Sequence, residues 1–201
     1  MSTLIKICGI RREQDCEYIN EAMPDYAGFI FWEPSFRYID REKAMQLRSL
    51  INRDIKTVGV FVDAEVYEIL DIVMSGAIDV VQLHGHEDED YIKKLRESSG
   101  IPIWKAFKVR SDADLEAAKE STADMVLLDN GYGTGECFDH SLLCDIGRDY
   151  ILAGGLNPDN IEEIKKNYNP YMLDLSSGVE TDKCKDRDKI IKAVAAARSD
   201  S

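Results

Sequence analysis

Short apolar segments alternate with longer amphipathic segments along the whole chain. Several apolar segments, such as Val58–Val62 and Met125–Leu128, are almost continuously apolar, which is typical of parallel strands covered on both faces. The pattern predicts eight strands joined by helices. They are Leu4–Cys8, Tyr26–Phe31, Thr57–Val62, Val80–Leu83, Ile103–Phe107, Met125–Leu128, Tyr150–Ala153 and Met172–Leu175.

The segments between these strands carry helix start and stop signals. Asp40, Asp63 or Ala64, and Ser111 precede apolar residues at helical spacing, and Asn157-Pro158-Asp159 places proline in a predicted first turn. Gly76 and Gly100 lie where helices are expected to stop. A final helix is predicted at about Arg187–Arg198. Between strands six and seven, Ser141–Ile146 offers only a short helix.

Eight strand–helix units in 201 residues predict a (β/α)8 TIM barrel, an α/β fold that forms a single compact domain over residues 1–201. The alternative for such a pattern is an open, doubly wound sheet. That alternative is weakened because no Gly-x-Gly-x-x-Gly follows the first strand. No linker or repeat divides the chain.

Net charge and composition exclude several classes of protein and ligand. The formal net charge of −13 argues against nucleic acid as a partner, and an anionic ligand would need a local site of backbone N–H groups or a few cations. No apolar run is long enough to span a membrane, and nothing near Met1 resembles a signal peptide, so we expect a cytoplasmic protein. The five cysteines lack metal-site spacing and are expected to be free thiols: Cys8, Cys16, Cys137, Cys144 and Cys184.

Polar residues and glycines cluster where the predicted strands end, which is the edge at which β/α barrels gather their reacting groups. The segments are Cys8-Gly9, Ser35-Phe36-Arg37, Gln82-Leu83-His84-Gly85, Asp129-Asn130-Gly131 with Gly133-Thr134-Gly135, Ala153-Gly154-Gly155, and Ser176-Ser177-Gly178. Glycine loops after strands seven and eight are suited to binding phosphate through backbone N–H groups. They could equally be tight turns that need a positive φ.

Cys8 and Asp129, on strands one and six, could exchange protons with one substrate. Alternatively, Cys8 fills the barrel as a small hydrophobe and Asp129 caps a helix or turn. Arg37 suits a substrate carboxylate or a surface ion pair. His84 could form a wall of the site. His84 and His86 with Glu87 also suggest a metal, but no second ligand cluster accompanies them, so we expect no metal site.

The motifs, taken in order along the chain, resemble those of the phosphoribosylanthranilate isomerase family of tryptophan biosynthesis. The resemblance covers nearly the whole chain, and an ordered set of this length is specific. Its segments are Lys6–Ile10, Gly28–Phe31, Ser35–Tyr38, Val58–Val62, Val81–Gly85, Leu127–Asp129, Ala153–Pro158 and Asp174–Glu180.

The resemblance implies the Amadori rearrangement of N-(5-phosphoribosyl)anthranilate to 1-(2-carboxyphenylamino)-1-deoxyribulose 5-phosphate, without metal or organic cofactor. Cys8 would be the general base at ribose C2′, Asp129 the general acid at the furanose oxygen, and Arg37 the anchor of the anthranilate. Asp129 should then be kept protonated by burial and Cys8 made basic by nearby donors. The other implied substrate-binding residues are His84, Gly133, Gly135, Gly154, Gly155, Asp174, Ser176, Ser177 and Gly178. The protein is expected to be a monomer or a homodimer, with a functional link to neighbouring tryptophan-pathway enzymes.

Two segments depart from the family pattern. Residues 132–140 change a Gly-Gly-[Ser/Thr]-Gly and Phe-Asp-Trp pattern, and Thr181–Asp186 lacks the usual glycine, which leaves the shape of that turn open. Three rival functions remain. They are a metal-dependent pentose-phosphate epimerase using His84 and His86, an isomerase of histidine biosynthesis or a bifunctional relative, and a non-catalytic barrel. The second uses an aspartate where this chain has Cys8.

Overall fold

The computed structural model describes residues 3–129 and 146–199, and within them eight parallel strands pair in chain order and close into a barrel. Closure depends on β8 pairing with β1, with Lys6 opposite Asp174. The predicted barrel is therefore confirmed and the open-sheet alternative was wrong. The strands are β1 (Leu4–Cys8), β2 (Tyr26–Ile30), β3 (Lys56–Phe61), β4 (Val80–Leu83), β5 (Ile103–Lys108), β6 (Met125–Asp129), β7 (Tyr150–Ala153) and β8 (Met172–Leu175).

Helices surround this barrel, and a small hairpin follows β8. The described helices are α1 (Glu13–Ala22), α2 (Arg41–Leu50), α3 (Val66–Met74), α4 (Glu89–Ser99), α5 (Asp112–Glu120), α6 (Ile161–Tyr168) and α7 (Arg187–Arg198). The hairpin pairs β9 (Glu180–Thr181) with β10 (Cys184–Lys185) in antiparallel fashion. Most of the predicted helix at Ser141–Ile146 lies outside the described residues.

Capping residues set the helix ends. The carboxylate of Asp40 accepts the N–H of Lys43, and Ser111 caps α5, as predicted. Gly100 ends α4 with a φ of 63°, in the left-handed region that favours glycine. Two starts differ from the prediction. α3 is capped by Glu65 rather than Asp63 or Ala64, through a reciprocal pair of bonds with Glu68.

The start of α6 was placed too early. Residues 157–160 form a turn instead of the first helical turn, because the N–H of Asn157 donates to the Asn160 side chain and the N–H of Asp159 donates to the Asn157 side chain. Asx-type bonds of this kind compete with helical ones. The helix then starts at Ile161, so the turn separates it from the glycines that end β7.

The core has two layers because side chains alternate across each strand. Outward-facing residues of the strands, such as Ile5, Ile7 and Phe29, pack with the helices in one large buried cluster. Inward-facing residues, including Val58, Trp104 and Leu127, fill the barrel itself. This interior packing supports a layer of polar residues at the carboxyl ends of the strands.

Candidate active site

A cavity of about 1090 Å³ opens at the carboxyl ends of the strands. Many of the predicted site residues line it together, although they come from strands that are far apart in sequence. They are Cys8, His84, Asp129, Gly154, Gly155, Asp174, Ser176, Ser177 and Gly178. Gly133 and Gly135 lie outside the described residues. The cavity is large enough to hold a small phosphorylated ligand.

The side chain of Cys8 projects into the barrel at the end of β1 and is almost completely buried. It lies opposite Gly28 in the β1–β2 register. A Cβ atom at Gly28 would come within 2.8 Å of the Cys8 Sγ and 3.2 Å of the Lys6 Cε. Gly28 therefore provides the space in which the side chains of Cys8 and Lys6 lie next to each other.

Below Cys8, the interior of the barrel contains a buried ion pair. The Nζ atom of Lys6 lies 2.8 Å from Oδ2 of Asp174, and the Lys6 side chain is fully buried. Asp174 lines the cavity, and its Oδ1 atom is buried without a hydrogen-bond partner among the described residues. A buried acceptor without a partner costs free energy, so Oδ1 is ready to accept a hydrogen bond from a ligand.

Burial raises the pKa of the Cys8 thiol above its usual 9.0, because the interior disfavours the thiolate. The ammonium group of Lys6 opposes this effect, Asp174 adds to it, and Lys185 opposes it more weakly. Lys6 itself keeps its proton. Burial disfavours its charge, but the Asp174 carboxylate, and the Cys8 thiolate once it forms, raise the pKa of Lys6 above 10.5.

Asp129 ends β6 and faces His84 across the cavity. The His84 Nε2 and the Asp129 Oδ2 are 3.7 Å apart, and the Asp129 side chain is 25% exposed. The burial that we expected to keep this carboxyl protonated is therefore only partial. The amide of Gln82 lies 3.1 Å from Nδ1 of His84. If the amide donates there, a neutral His84 carries its proton on Nε2, which faces Asp129.

Arg37 lies at the rim of the barrel and is already paired. Its Nε and Nη2 atoms donate to the two carboxylate oxygens of Glu180, both at 2.7 Å. The guanidinium also lies 4.2 Å from the centre of the Phe36 ring. A Cβ atom at Gly9, whose φ is 85°, would come within 2.5 Å of the Arg37 Cδ. Arg37 is not among the residues that line the cavity.

Burial disfavours the Glu180 carboxylate, but hydrogen bonds from Arg37 and Lys185 outweigh that cost and lower the pKa of Glu180 from 4.5 to about 2. Lys185 is itself buried, and it also donates to the Ser176 carbonyl at 2.9 Å. Burial lowers the pKa of Lys185, whereas Glu180 raises it. The ion pairs therefore connect the arginine at the rim to the loop after β8.

The two glycine loops predicted after β7 and β8 lie against each other. Gly154 and Gly155 have φ angles of 95° and 63°. A Cβ atom at Gly178 would come within 1.8 Å of the Leu156 carbonyl oxygen, so this glycine is needed for the loops to meet. Among the described residues, no backbone hydrogen bond outside the helices and strands has the N–H of Gly155, Ser177 or Gly178 as its donor. Both the turn role and the binding role considered above are therefore compatible with this geometry.

Sequence reasoning missed several charged residues that shape the site. Lys6 precedes Cys8 by two positions, so strand alternation could have placed both side chains inside the barrel. Lys105 was also missed, and it forms a buried pair beside the cavity with Glu87, which the sequence suggested only as a metal ligand; Nζ and Oε2 are 2.8 Å apart. Glu180 and Lys185 could not have been found by spacing, because their role depends on the fold.

His84 and His86 do not point to a common place, as a metal site formed by both would require. The His86 side chain is 94% exposed and pairs with Asp63, whereas His84 faces Asp129. Within residues 3–129 and 146–199, no group of three or more His, Cys, Asp or Glu side chains could hold a metal ion. The same part of the chain contains no helix that is long and apolar enough to cross a membrane.

Comparison with known proteins gives consistent results. The sequence model of the N-(5'-phosphoribosyl)anthranilate (PRA) isomerase family matches residues 5–196. The chain is 46% identical over 200 residues to the N-(5'-phosphoribosyl)anthranilate isomerase of Endomicrobium trichonymphae, covering 97% of this chain and 98% of the relative. It is 42% identical over 201 residues to the enzyme of that name from Thermoanaerobacter sp. (strain X514), covering 96% and 97%.

Solved structures of similar proteins have the same fold. The phosphoribosyl anthranilate isomerase of Thermotoga maritima superposes with a TM-score of 0.87 at 35% identity, covering 97% of this chain and 98% of that one. A phosphoribosyl anthranilate isomerase in complex with reduced 1-(o-carboxyphenylamino)-1-deoxyribulose 5-phosphate gives a TM-score of 0.85 at 35% identity, with the same coverage.

Proposed function

The chain belongs to the N-(5'-phosphoribosyl)anthranilate isomerase family, and from this membership and the geometry of its cavity we propose how it performs the family's reaction. The reaction is the Amadori rearrangement of N-(5-phosphoribosyl)anthranilate, an isomerisation in tryptophan biosynthesis. It converts an aminoaldose into an aminoketose and therefore needs one group that donates a proton and one that removes a proton.

The acid step opens the sugar ring. The carboxyl of Asp129 gives its proton to the furanose oxygen while the bond between C1′ and that oxygen breaks. The electron pair of the broken bond goes to the oxygen, and the anthranilate nitrogen forms a double bond to C1′. His84, 3.7 Å from Asp129, lies where it can orient this carboxyl or the substrate.

The base step moves the double bond. The thiolate of Cys8 removes the proton from C2′, and the electrons of that C–H bond form a double bond between C2′ and C1′ as the iminium electrons return to nitrogen. The resulting enol then gains a proton at C1′ and loses one from its oxygen, which yields the ketose. Cys8 needs to be ionised to act in this way.

Three groups are proposed to hold the substrate. The backbone N–H groups of the loops after β7 and β8, including those of Gly155 and Gly178, would bind the phosphate. The unpaired Oδ1 of Asp174 would accept a hydrogen bond from a ribose hydroxyl. Arg37 lies at the rim and outside the lining of the cavity, so it would bind the anthranilate carboxylate where that group reaches the rim, through the part of its guanidinium that does not bond to Glu180.

One observation carries the proposal. Cys8 and Asp129, the only two residues to which we assign proton transfer, belong to strands β1 and β6 and yet line the same cavity. The glycine loops that could hold a phosphate line it as well. A packing role for Cys8 alone would not require these groups to converge.

Variants of the two residues test the proposal. Cys8→Ala and Asp129→Asn should each lower kcat by about 100-fold or more and leave KM and thermal unfolding little changed. Cys16→Ala is the matched control, because Cys16 is a buried thiol on α1 that does not line the cavity. Loss of substrate can be followed by fluorescence. Near-parental turnover in Cys8→Ala or Asp129→Asn would refute the role of that residue.

The oligomeric state, the cytoplasmic location and a link to neighbouring tryptophan-pathway enzymes stay predictions. A solved structure described as mutually generated monomers of the dimeric Thermotoga maritima enzyme superposes with a TM-score of 0.83. We accordingly expect a monomer or a homodimer. Analytical ultracentrifugation would distinguish these states from a larger assembly, which would contradict the expectation.

A further inference from the structure

A fully buried lysine lies next to the proposed base. Lys6 and Cys8 are two residues apart on β1, so their side chains both enter the barrel, where each lies against Gly28. The Cys8 Sγ and the Lys6 Cε lie 2.8 Å and 3.2 Å from the same point above Gly28, and the Lys6 Nζ donates to Oδ2 of Asp174 at 2.8 Å. The lysine is therefore held between a carboxylate on β8 and the thiol on its own strand.

Packing does not explain why these charges are inside the barrel. Taking an ion pair out of water costs several kcal/mol per ion, and a pair of apolar side chains of similar volume is often equally stable or more stable. Other interior positions of this barrel are indeed apolar, such as Val58, Leu127 and Ile151. The Lys6–Asp174 pair is also incompletely satisfied, since Oδ1 of Asp174 has no partner among the described residues.

We propose that Lys6 is a positioning residue that stabilises the thiolate of Cys8, and that Asp174 keeps Lys6 charged and directed at that sulfur. The proposal deepens the proposed function, since it explains how a buried thiol becomes a base. Three charged groups act on Cys8: Lys6 on β1, Asp174 on β8 and Lys185 on β10. Arg37 passes over the neighbouring Gly9, where its charge is paired with Glu180.

The balance of these charges fixes the direction of the effect. Burial raises the pKa of Cys8, the Lys6 ammonium is the strongest opposing influence, and Asp174 acts in the same direction as burial but less strongly than Lys6. An opposite charge within about 4–6 Å changes a pKa by about one to three pH units. Removing Lys6 should therefore leave Cys8 protonated over a wider range of pH.

The test is a titration of Cys8 in the whole protein without substrate. Thiolate absorbance in the ultraviolet is recorded against pH for wild type and for each variant, and the spectrum of the same protein carrying Cys8→Ala is subtracted. Lys6→Met should raise the midpoint of the Cys8 titration by about one to three pH units, or keep the Cys8 thiol protonated up to the pH at which the protein unfolds. Lys6→Arg keeps the charge and should restore a midpoint close to that of wild type.

Two further variants control for loss of a buried charge. Lys105→Met removes another buried barrel lysine, whose partner is Glu87, and should leave the Cys8 midpoint unchanged. If Lys6→Met fails to fold because Asp174 is left unpaired, the neutral double variant Lys6→Met/Asp174→Asn removes both charges. It should still raise the midpoint, because the effect of Lys6 exceeds that of Asp174.

An unchanged midpoint in Lys6→Met, or in the double variant, would overturn the proposal. So would a wild-type Cys8 that stays protonated until the protein unfolds. Because no substrate is present, this result is independent of the assignment of Cys8 as the base. If Cys8→Ala kept full activity, the proposed function would fail at that residue while the effect of Lys6 on the thiol could still be correct.

Discussion

The contact between the two glycine loops permits a sharp prediction for Gly178→Ala. The added Cβ would lie 1.8 Å from the Leu156 carbonyl oxygen and 2.8 Å from its carbonyl carbon. Both atoms belong to the backbone, so no side-chain rotation can relieve the overlap. Ordinary contact begins at 3.4 Å, so the loop after β7 and the loop after β8 would have to separate by about 1.6 Å.

This displacement should affect binding more than folding. Overpacking of this kind costs about 1–3 kcal/mol of stability, because the loops can shift away from each other at the surface. Misplacement by about 1 Å can lower catalytic efficiency by about 100-fold. If the loops bind the phosphate, the loss of kcat/KM in Gly178→Ala should therefore be near 100-fold and should come largely from a higher KM.

A fluorescence assay for loss of phosphoribosylanthranilate, combined with thermal unfolding, measures both effects. Gly100→Ala is the control, because Gly100 ends α4 with a φ of 63° and has no atom within 4 Å of the added Cβ. It should cost about 1 kcal/mol of stability and leave KM unchanged. A wild-type KM in a folded Gly178→Ala would refute the role of these loops in phosphate binding.

Three further predictions concern the hairpin, the rim and the base. Asp182 and Lys183 form the turn of the β9–β10 hairpin with φ angles of 50° and 60°, a backbone conformation that favours glycine. Lys183→Gly should therefore raise the free energy of unfolding, measured by urea denaturation, by about 1 kcal/mol. An unchanged free energy of unfolding would contradict the inferred backbone strain at Lys183. Because the pKa of Glu180 is lowered from 4.5 to about 2, the ionised carboxylate stabilises the fold above pH 4.5, and this stabilisation is lost as the pH falls towards 2. The free energy of unfolding of wild type should therefore exceed that of Glu180→Gln by about 2 kcal/mol less at about pH 3 than at about pH 5. A difference that does not change with pH would refute the pairing of Glu180 with Arg37 and Lys185. Because burial raises the pKa of Cys8, kcat/KM should rise between about pH 7 and about pH 9, and a flat profile would argue against a thiolate base.

The strands could be predicted from sequence because both of their faces are covered. Runs such as Val58–Val62 and Met125–Leu128 are apolar on both sides. The predicted strands Thr57–Val62 and Met125–Leu128 match β3 and β6 to within one residue at each end. The start of α6 was missed for a local reason. Asn157 and Asn160 form side-chain bonds to nearby backbone, which a proline in the predicted first turn did not reveal.

The site was partly predictable for the same reason. Cys8 and Asp129 stand where parallel strands end, and strand ends meet at one edge of a barrel, so their convergence followed from the strand pattern. The charged residues that pair with one another around this site could not be predicted from the strand pattern. Asp174 meets Lys6 only because β8 closes on β1, and Glu180 meets Arg37 across 143 residues. Contacts of this kind depend on closure and leave no periodic signal in the sequence.

The turn after β9, where the family usually has a glycine and this chain has none, has a shape that the sequence did not predict. The absence of that glycine left the shape of the turn open, and the hairpin forms nonetheless with positive φ angles at Asp182 and Lys183. The carbonyl of Lys183 accepts a hydrogen bond from Arg11, and the Lys183 ammonium lies 5.6 Å from the centre of the Phe36 ring. Contacts with neighbouring residues thus support a conformation that the local sequence disfavours.

A crystal structure with the reduced product analogue bound would show whether Cys8 and Asp129 reach the reacting atoms. We expect the sulfur of Cys8 to lie about 3 to 3.5 Å from C2′ of the sugar, and the Asp129 carboxyl to lie within hydrogen-bonding distance of the oxygen that closes the furanose ring. The phosphate should contact the backbone N–H groups of Gly155 and Gly178. A bound analogue whose C2′ lies beyond the reach of the Cys8 sulfur would contradict the role of Cys8 as the base.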